Sequence, residues 1–148
     1  MTDQERAAFL AQPHIGILSI ADGAGGPLAI PIWYEYAADE NVLWITTGGK
    51  SRKGRLLKNV ERISLCVHSE APHYMYVSVE GPISIDAADT DRDTRHLAHR
   101  YLGIERGDAY ITAMRDFMEQ SEPILVRIRP ERWLTFDASK ERGGAQLA

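Results

Sequence analysis

The residues best suited to chemistry lie between positions 44 and 62, Trp-Ile-Thr-Thr-Gly-Gly-Lys-Ser-Arg-Lys-Gly-Arg-Leu-Leu-Lys-Asn-Val-Glu-Arg. Six cations (Lys50, Arg52, Lys53, Arg55, Lys58 and Arg62) stand there against one acid, Glu61. That is +5 within a chain of net charge −4, so the remainder carries −9. The chemistry such a run offers is anion binding. Glycines allow close backbone approach, hydroxyls donate, and the first turn of a helix presents unpaired amides and the positive end of its dipole. A solvated helix face is the other use of a charge run. The Thr46-Thr47-Gly48-Gly49 entrance favours a phosphate site instead. Lys50, Ser51, Arg52 and Lys53 carry this reading, with Lys50 and Lys53 three apart on one helical face. Arg55, Lys58 and Arg62 read as surface charge, Lys58 and Arg62 having a second use against an acidic ligand tail.

Other reactive residue types are scattered. Trp33 and Trp44 are core or interface candidates, and Trp33 lies opposite the aliphatic row of its strand, where a pocket wall is equally open to it. Tyr74 and Tyr76 are assigned to a substrate wall or a dimer contact. His96 and His99 are an i, i+3 pair without further ligands at metal spacing, so no metal site is expected. His68 and His73 flank a loop where a polar substrate contact is conceivable. Cys66 lacks the partners of a nucleophile and reads as structural. No catalytic side chain is assigned.

The elements that must position these groups follow from pattern. Thr2 or Asp3 caps a helix running to about Gln12, and Pro13 stops it. His14–Ile20 is a strand, with Ile15, Ile17 and, beside them, Leu18 and Ile20 as its buried residues. A turn at 22–27 leads to an alternating strand over Leu28–Tyr36, with Pro31 marking an edge, a bulge or an opening of the ladder. Val42–Thr46 is a strand, Lys50–Asn59 the basic helix, and Ile63–His68 and Met75–Ile85 further strands, the last broken by Gly81-Pro82. Helices are expected over Asp89–Leu102, closed by Gly103, and over Asp108–Gln120. Strands at Pro123–Arg129 and Trp133–Asp137 end the fold, and a loose tail is expected from about 139. Strands joined by tight turns imply an antiparallel sheet or barrel.

The 148 residues suit one domain spanning 1–148. A pI near 5.7 argues against a general nucleic-acid binder. One cysteine leaves no internal disulfide. The polar N-terminus carries no signal-peptide pattern and no apolar run is long enough for a membrane span, so a cytoplasmic protein is expected.

Four stretches in order resemble the pyridoxamine 5′-phosphate oxidase-like, split β-barrel flavin-binding family. They are Ile15–Ile20 with its glycine-rich turn, Ala29–Tyr34, Ile45–Lys53 and Val77–Pro82; Asn59-Val60-Glu61-Arg62-Ile63-Ser64-Leu65 matches a further family strand. The likeness is greatest to the branch that uses the deazaflavin coenzyme F420, and it covers most of residues 5–137. It implies a mainly β split barrel with peripheral helices, acting as a homodimer with cofactor sites at the subunit interface. It further implies that Lys50, Ser51, Arg52 and Lys53 hold the cofactor phosphate. Pro31, Ile32, Trp33, Ile45, Thr46 and Thr47 would line the ring, and Trp133 would approach the partner's cofactor. The Arg-x-His signature of the vitamin B6 oxidases is absent from the C-terminal region. The implied activity is therefore hydride transfer from reduced F420 to an unsaturated small organic substrate. An FMN-dependent oxidase or reductase and a non-enzymatic cofactor carrier are the alternatives.

Overall fold

A computed structural model describes residues 1–141. The chain opens on helix α1 (Asp3–Leu10), started by a capping box in which Thr2 and Glu5 satisfy each other's backbone amides. Strand β1 (Gly16–Ile20) pairs antiparallel with β2 (Leu28–Ile32), and β3 (Glu35–Ala37) pairs with β4 (Val42–Gly48). Helix α2 (Arg52–Leu57) precedes β5 (Arg62–His68) and the long β6 (Met75–Ala87). A π-helical turn (Thr90–Thr94) leads into α3 (Arg95–Leu102) and α4 (Ile104–Gln120), and β7 (Pro123–Ile128) and β8 (Arg132–Asp137) close the fold.

All eight strands pair antiparallel in the order β2-β1-β5-β6-β7-β4-β3, with β8 added against β6. The sheet curls because β6 serves two halves. Its first part lies between β5 and β8, and its last part pairs with β7. Gly81 sits at this change of partner. A Cβ there would fall 1.9 Å from the Arg129 carbonyl oxygen, so only glycine admits the crossing backbone. The expected break at Gly81-Pro82 is thus a switch of neighbours within an unbroken strand.

The expected strand over Leu28–Tyr36 is two. β2 is an edge strand, which accounts for Pro31, whose missing N–H costs no ladder bond there. The chain then leaves β1 and crosses at Trp33-Tyr34 to pair with β4. Tyr34 turns inward and is fully buried, beside Leu18, Ile20, Leu43, Ile45, Leu65, Val67, Val77 and Val126. In β1 it is Leu18 and Ile20 that fill the core; Ile17 faces outward, half-buried, and Ile15 is exposed.

The strand break is held by α3. Arg100 Nε donates to the Tyr34 carbonyl at 2.9 Å, and its terminal nitrogens donate to the carbonyls of Leu10, Ala11 and Gln12 at 2.8–2.9 Å. A side chain whose sequence position suggests only a charge at a helix end therefore caps α1 and closes the gap in the sheet. The helix expected from Asp108 begins at Ile104, directly after Gly103, whose φ of 82° ends α3 and turns the chain into α4. At the other end Ser139 bonds Asp137 and Lys140 pairs with Glu5, so the chain stays tied through Lys140. The rest of the expected loose tail, 142–148, lies outside the described residues.

Candidate functional site

A cleft of about 490 Å³ opens between the C-terminal ends of β2 and β4, the start of α2, and the α3–α4 pair. Its floor is Pro31, Ile32, Trp33, Thr46 and Thr47, its polar end Ser51 and Lys53, and its far wall Leu97 and the α4 face bearing Tyr110, Phe117 and Met118. The volume and the largely apolar, aromatic lining are those of a small-molecule site. Among the described residues Lys53 is the one charged side chain in the lining, and no Asp, Glu or His joins it.

The basic run separates into distinct roles. The helix spans Arg52–Leu57, shorter than the expected Lys50–Asn59, because Ser51 caps it: its Oγ accepts from Gly54 N–H at 3.1 Å and donates to the Gly48 carbonyl at 2.6 Å. That leaves the Ser51 hydroxyl no spare proton for a phosphate. Lys50 precedes the helix and pairs with Glu122 at 3.2 Å, so it does not share a helical face with Lys53. Arg52 reaches Asp22, in the β1–β2 turn, at 3.0 Å. The Ala24 amide and this guanidinium hold the Asp22 carboxyl below its ordinary range. Lys58 Nζ donates to the Gly49 carbonyl at 3.0 Å, and Arg62 pairs with Glu131 at 2.8 Å. Among the predicted phosphate ligands, Lys53 alone carries its charge into the cleft.

The glycine pair has a packing cause that the sequence reading did not supply. A Cβ on Gly48 would lie 2.8 Å from the Ser121 side chain, and one on Gly49 would lie 2.5 Å from the Glu122 carbonyl oxygen. The amides of Gly49 and Lys50 donate to the carbonyls of Glu122 and Ser121, both at 3.0 Å. The loop is therefore sewn to the α4–β7 junction, and its amides are not turned to the cleft. Arg52 and Lys53, at the first two helical positions, lack an intrahelical acceptor for their N–H groups. In the cleft lining, the Lys53 ammonium and the Thr47 and Tyr110 hydroxyls are donors that an anion could meet.

Of the predicted ring-lining residues, the cleft brings together Pro31, Ile32, Trp33, Thr46 and Thr47. Ile45 points the other way and is fully buried in the core, as alternation along β4 requires. Trp133, expected at the partner's cofactor and not in this cleft, has the Arg6 guanidinium 4.0 Å over its ring and Tyr36 edge-on. Trp44 stands beside His96, which meets Glu35 at 2.8 Å; His99 meets Asp108 at 2.6 Å. With Arg95 on the same carboxylate, His99 holds the Asp108 pKa down. Among the described residues no cluster of three or more His, Cys, Asp or Glu side chains is placed to hold a metal ion. Cys66 lies half-buried on β5 and burial pushes its thiol up, away from the thiolate a nucleophile needs. His68 and His73 do not line the cleft; Tyr76 stacks on Phe136 and Tyr74 is exposed.

The α4 wall was not foreseen. Its signal was present, since Tyr110, Phe117, Met118 and Ser121 fall at i, i+7, i+8 and i+11, one face of a helix. Nothing in the periodicity told which side of the barrel that face would meet.

The family model described as pyridoxamine 5′-phosphate oxidase matches residues 2–137. Among solved structures, the conserved hypothetical protein Rv2991 from Mycobacterium tuberculosis superposes with a TM-score of 0.78 at 22% identity, over 100% of this chain and 92% of that one. A protein described as F420 reductase gives a TM-score of 0.69 at 22% identity, over 86% of this chain and 94% of its own. An FAD-binding protein from Mesorhizobium loti gives 0.63 at 18%, over 93% and 96%. At these identities the likenesses establish the split β-barrel fold. No curated protein matches the sequence.

Proposed function

The chain belongs to the pyridoxamine 5′-phosphate oxidase family, and from that premise we propose that its cleft binds a flavin-type cofactor, coenzyme F420, in an oxidoreductase of small unsaturated organic molecules. The observation that carries the reading is the pairing of an aromatic and apolar cleft with one cation, Lys53, in the first turn of α2. A ring attached to a phosphate has the same two-part shape. The structural neighbours described as an F420 reductase and an FAD-binding protein support a cofactor of this class. The FAD-binding neighbour keeps FMN as the second reading.

The chain's own groups divide the work. The Arg52 and Lys53 amides and the Lys53 ammonium hold the phosphate, and Trp33, Ile32, Thr46 and Thr47 fix the ring. The Tyr110, Phe117 and Met118 wall excludes water from the ring's neighbourhood. When bound, the cofactor supplies the hydride, and the protein supplies orientation. Among the described residues the lining holds no carboxylate or imidazole, and the proton that accompanies reduction comes from solvent. The homodimer belongs to the same proposal. The outward row Pro31, Ile17, Cys66, Ser78 and Leu134, in register across five strands, offers a flat and mostly uncharged face for it.

Lys53→Ala should weaken cofactor affinity by about 10–100-fold, the range for one charge-assisted hydrogen bond. Arg52→Ala should cost less, because that guanidinium already faces Asp22. Titration followed by tryptophan fluorescence reads both. Unchanged affinity in a folded Lys53→Ala variant would remove the phosphate assignment.

A further inference from the structure

We propose that Tyr101 is a positioning residue that sets the ring-binding face of Trp33 from behind, without itself touching the ligand. The proposal rests on the reading of the cleft as a flavin-type cofactor site. Trp33 lines the cleft, and Tyr101 does not. The two rings lie nearly parallel, 7° apart, with centroids at 5.1 Å. One face of the indole is therefore covered by the protein, and Tyr110 leans on it at 5.4 Å and 53°. The part of the indole that reaches the cleft lies beside Tyr110, and a flat ring bound there would stack against this pair.

What fixes Tyr101 is the backbone gap at the strand crossing. Tyr34 sits between β2 and β3, and neither ladder supplies partners for its peptide groups. A buried amide in that position must find a partner elsewhere. Tyr34 N–H donates to the Tyr101 hydroxyl at 3.2 Å, and that hydroxyl donates to the His14 carbonyl at 2.6 Å. Arg100, the preceding residue, takes the Tyr34 carbonyl. Two consecutive residues of α3 thus satisfy both backbone groups of the residue after Trp33. The indole is aimed by a bond network one position away, before any ligand arrives. Such preorganisation lowers the ordering cost of binding.

Because Tyr101 acts through Trp33, the test is a double-mutant cycle on ring affinity, using riboflavin (which lacks the phosphate) and FMN as probes. Tyr101→Leu and Trp33→Leu should each weaken both probes by about tenfold, as loss of an aromatic stack does. Tyr101→Leu added to Trp33→Leu should have no further effect, since the platform is already gone. Tyr101→Phe, which keeps the stacked ring and removes the hydroxyl, should lose stability and fall between the wild type and Tyr101→Leu in ring affinity. The salt dependence of FMN binding should stay the same throughout, because Lys53 is untouched. If Tyr101→Leu does not fold, Tyr101→Met takes its place with the same expectations. Additive losses, or wild-type affinity in a folded Tyr101→Leu variant, would overturn the positioning role and leave the cofactor reading standing. Failure of the unmodified protein to bind FMN, riboflavin or F420 would instead sink the cofactor reading, and this inference with it.

Discussion

Arg100→Leu should lower stability by about 3–5 kcal/mol, the largest loss expected of any single side chain here. The side chain is largely buried, at 12% exposure, and its guanidinium donates to four backbone carbonyls in three places: the end of α1, the loop after it, and the β2–β3 crossing. Leucine matches the apolar stem and removes every donor. The Leu10 and Gln12 carbonyls would be left to share the single Tyr34 hydroxyl proton, at 3.1 and 3.3 Å, while Ala11 would lose its bond to Arg100. Arg100→Lys should rescue little, since an ammonium is a point donor and cannot span carbonyls that the planar fork reaches together. Urea denaturation at fixed pH reads the effect. A loss within about 0.5 kcal/mol, the ordinary surface range, would show that the network is redundant.

Gly54→Ala should be the second large effect, and its sign is the informative part. Alanine is the better helix former by about 1 kcal/mol, so a glycine inside α2 looks like an easy gain. Here a Cβ would fall 2.2 Å from the Gly48 carbonyl oxygen and 2.8 Å from that of Gly49. Both contacts are backbone, and neither can swing aside. The helix start must move away from the end of β4, at an overpacking cost of about 1–3 kcal/mol or more, and the Arg52 and Lys53 amides move with it. We expect net destabilisation together with loss of cofactor affinity. Gly25→Ala, with nothing within 4 Å of its Cβ, is the control and should be nearly neutral. A stabilised Gly54→Ala variant would mean that α2 has room the geometry does not show.

These two residues also mark how far the sequence could be read. The succession of strands and helices along the chain and an antiparallel sheet were legible because the turns carry Gly, Pro, Asp or Asn. An edge was one of three readings open to Pro31, and which strands lie side by side was not legible. Local pattern does not carry the partners of a loop. Gly48 and Gly49 read as room for an anion, yet they make room for Ser121 and Glu122, far along the chain. Lys50, Arg52 and Lys53 read as one phosphate anchor, yet Glu122 and Asp22, neither of them near it in sequence, take up Lys50 and Arg52, as Glu131 takes up Arg62. Arg100 resembled any cation near a helix end, because its acceptors are carbonyls, which every sequence has. For the ring-lining set, alternation along β4 was available to separate Ile45 from Thr46, and only the family resemblance had grouped them.

The most direct test of the cofactor assignment is an equilibrium titration of the purified chain with F420 and, separately, FMN, followed by tryptophan fluorescence, with Lys53→Ala alongside. We expect saturable binding of F420 at micromolar concentration or tighter, weaker binding of FMN, and a loss of about 10–100-fold in the variant. Tighter binding of FMN would move the ring assignment to a flavin. Absence of saturable binding by either cofactor to the folded chain would contradict the account.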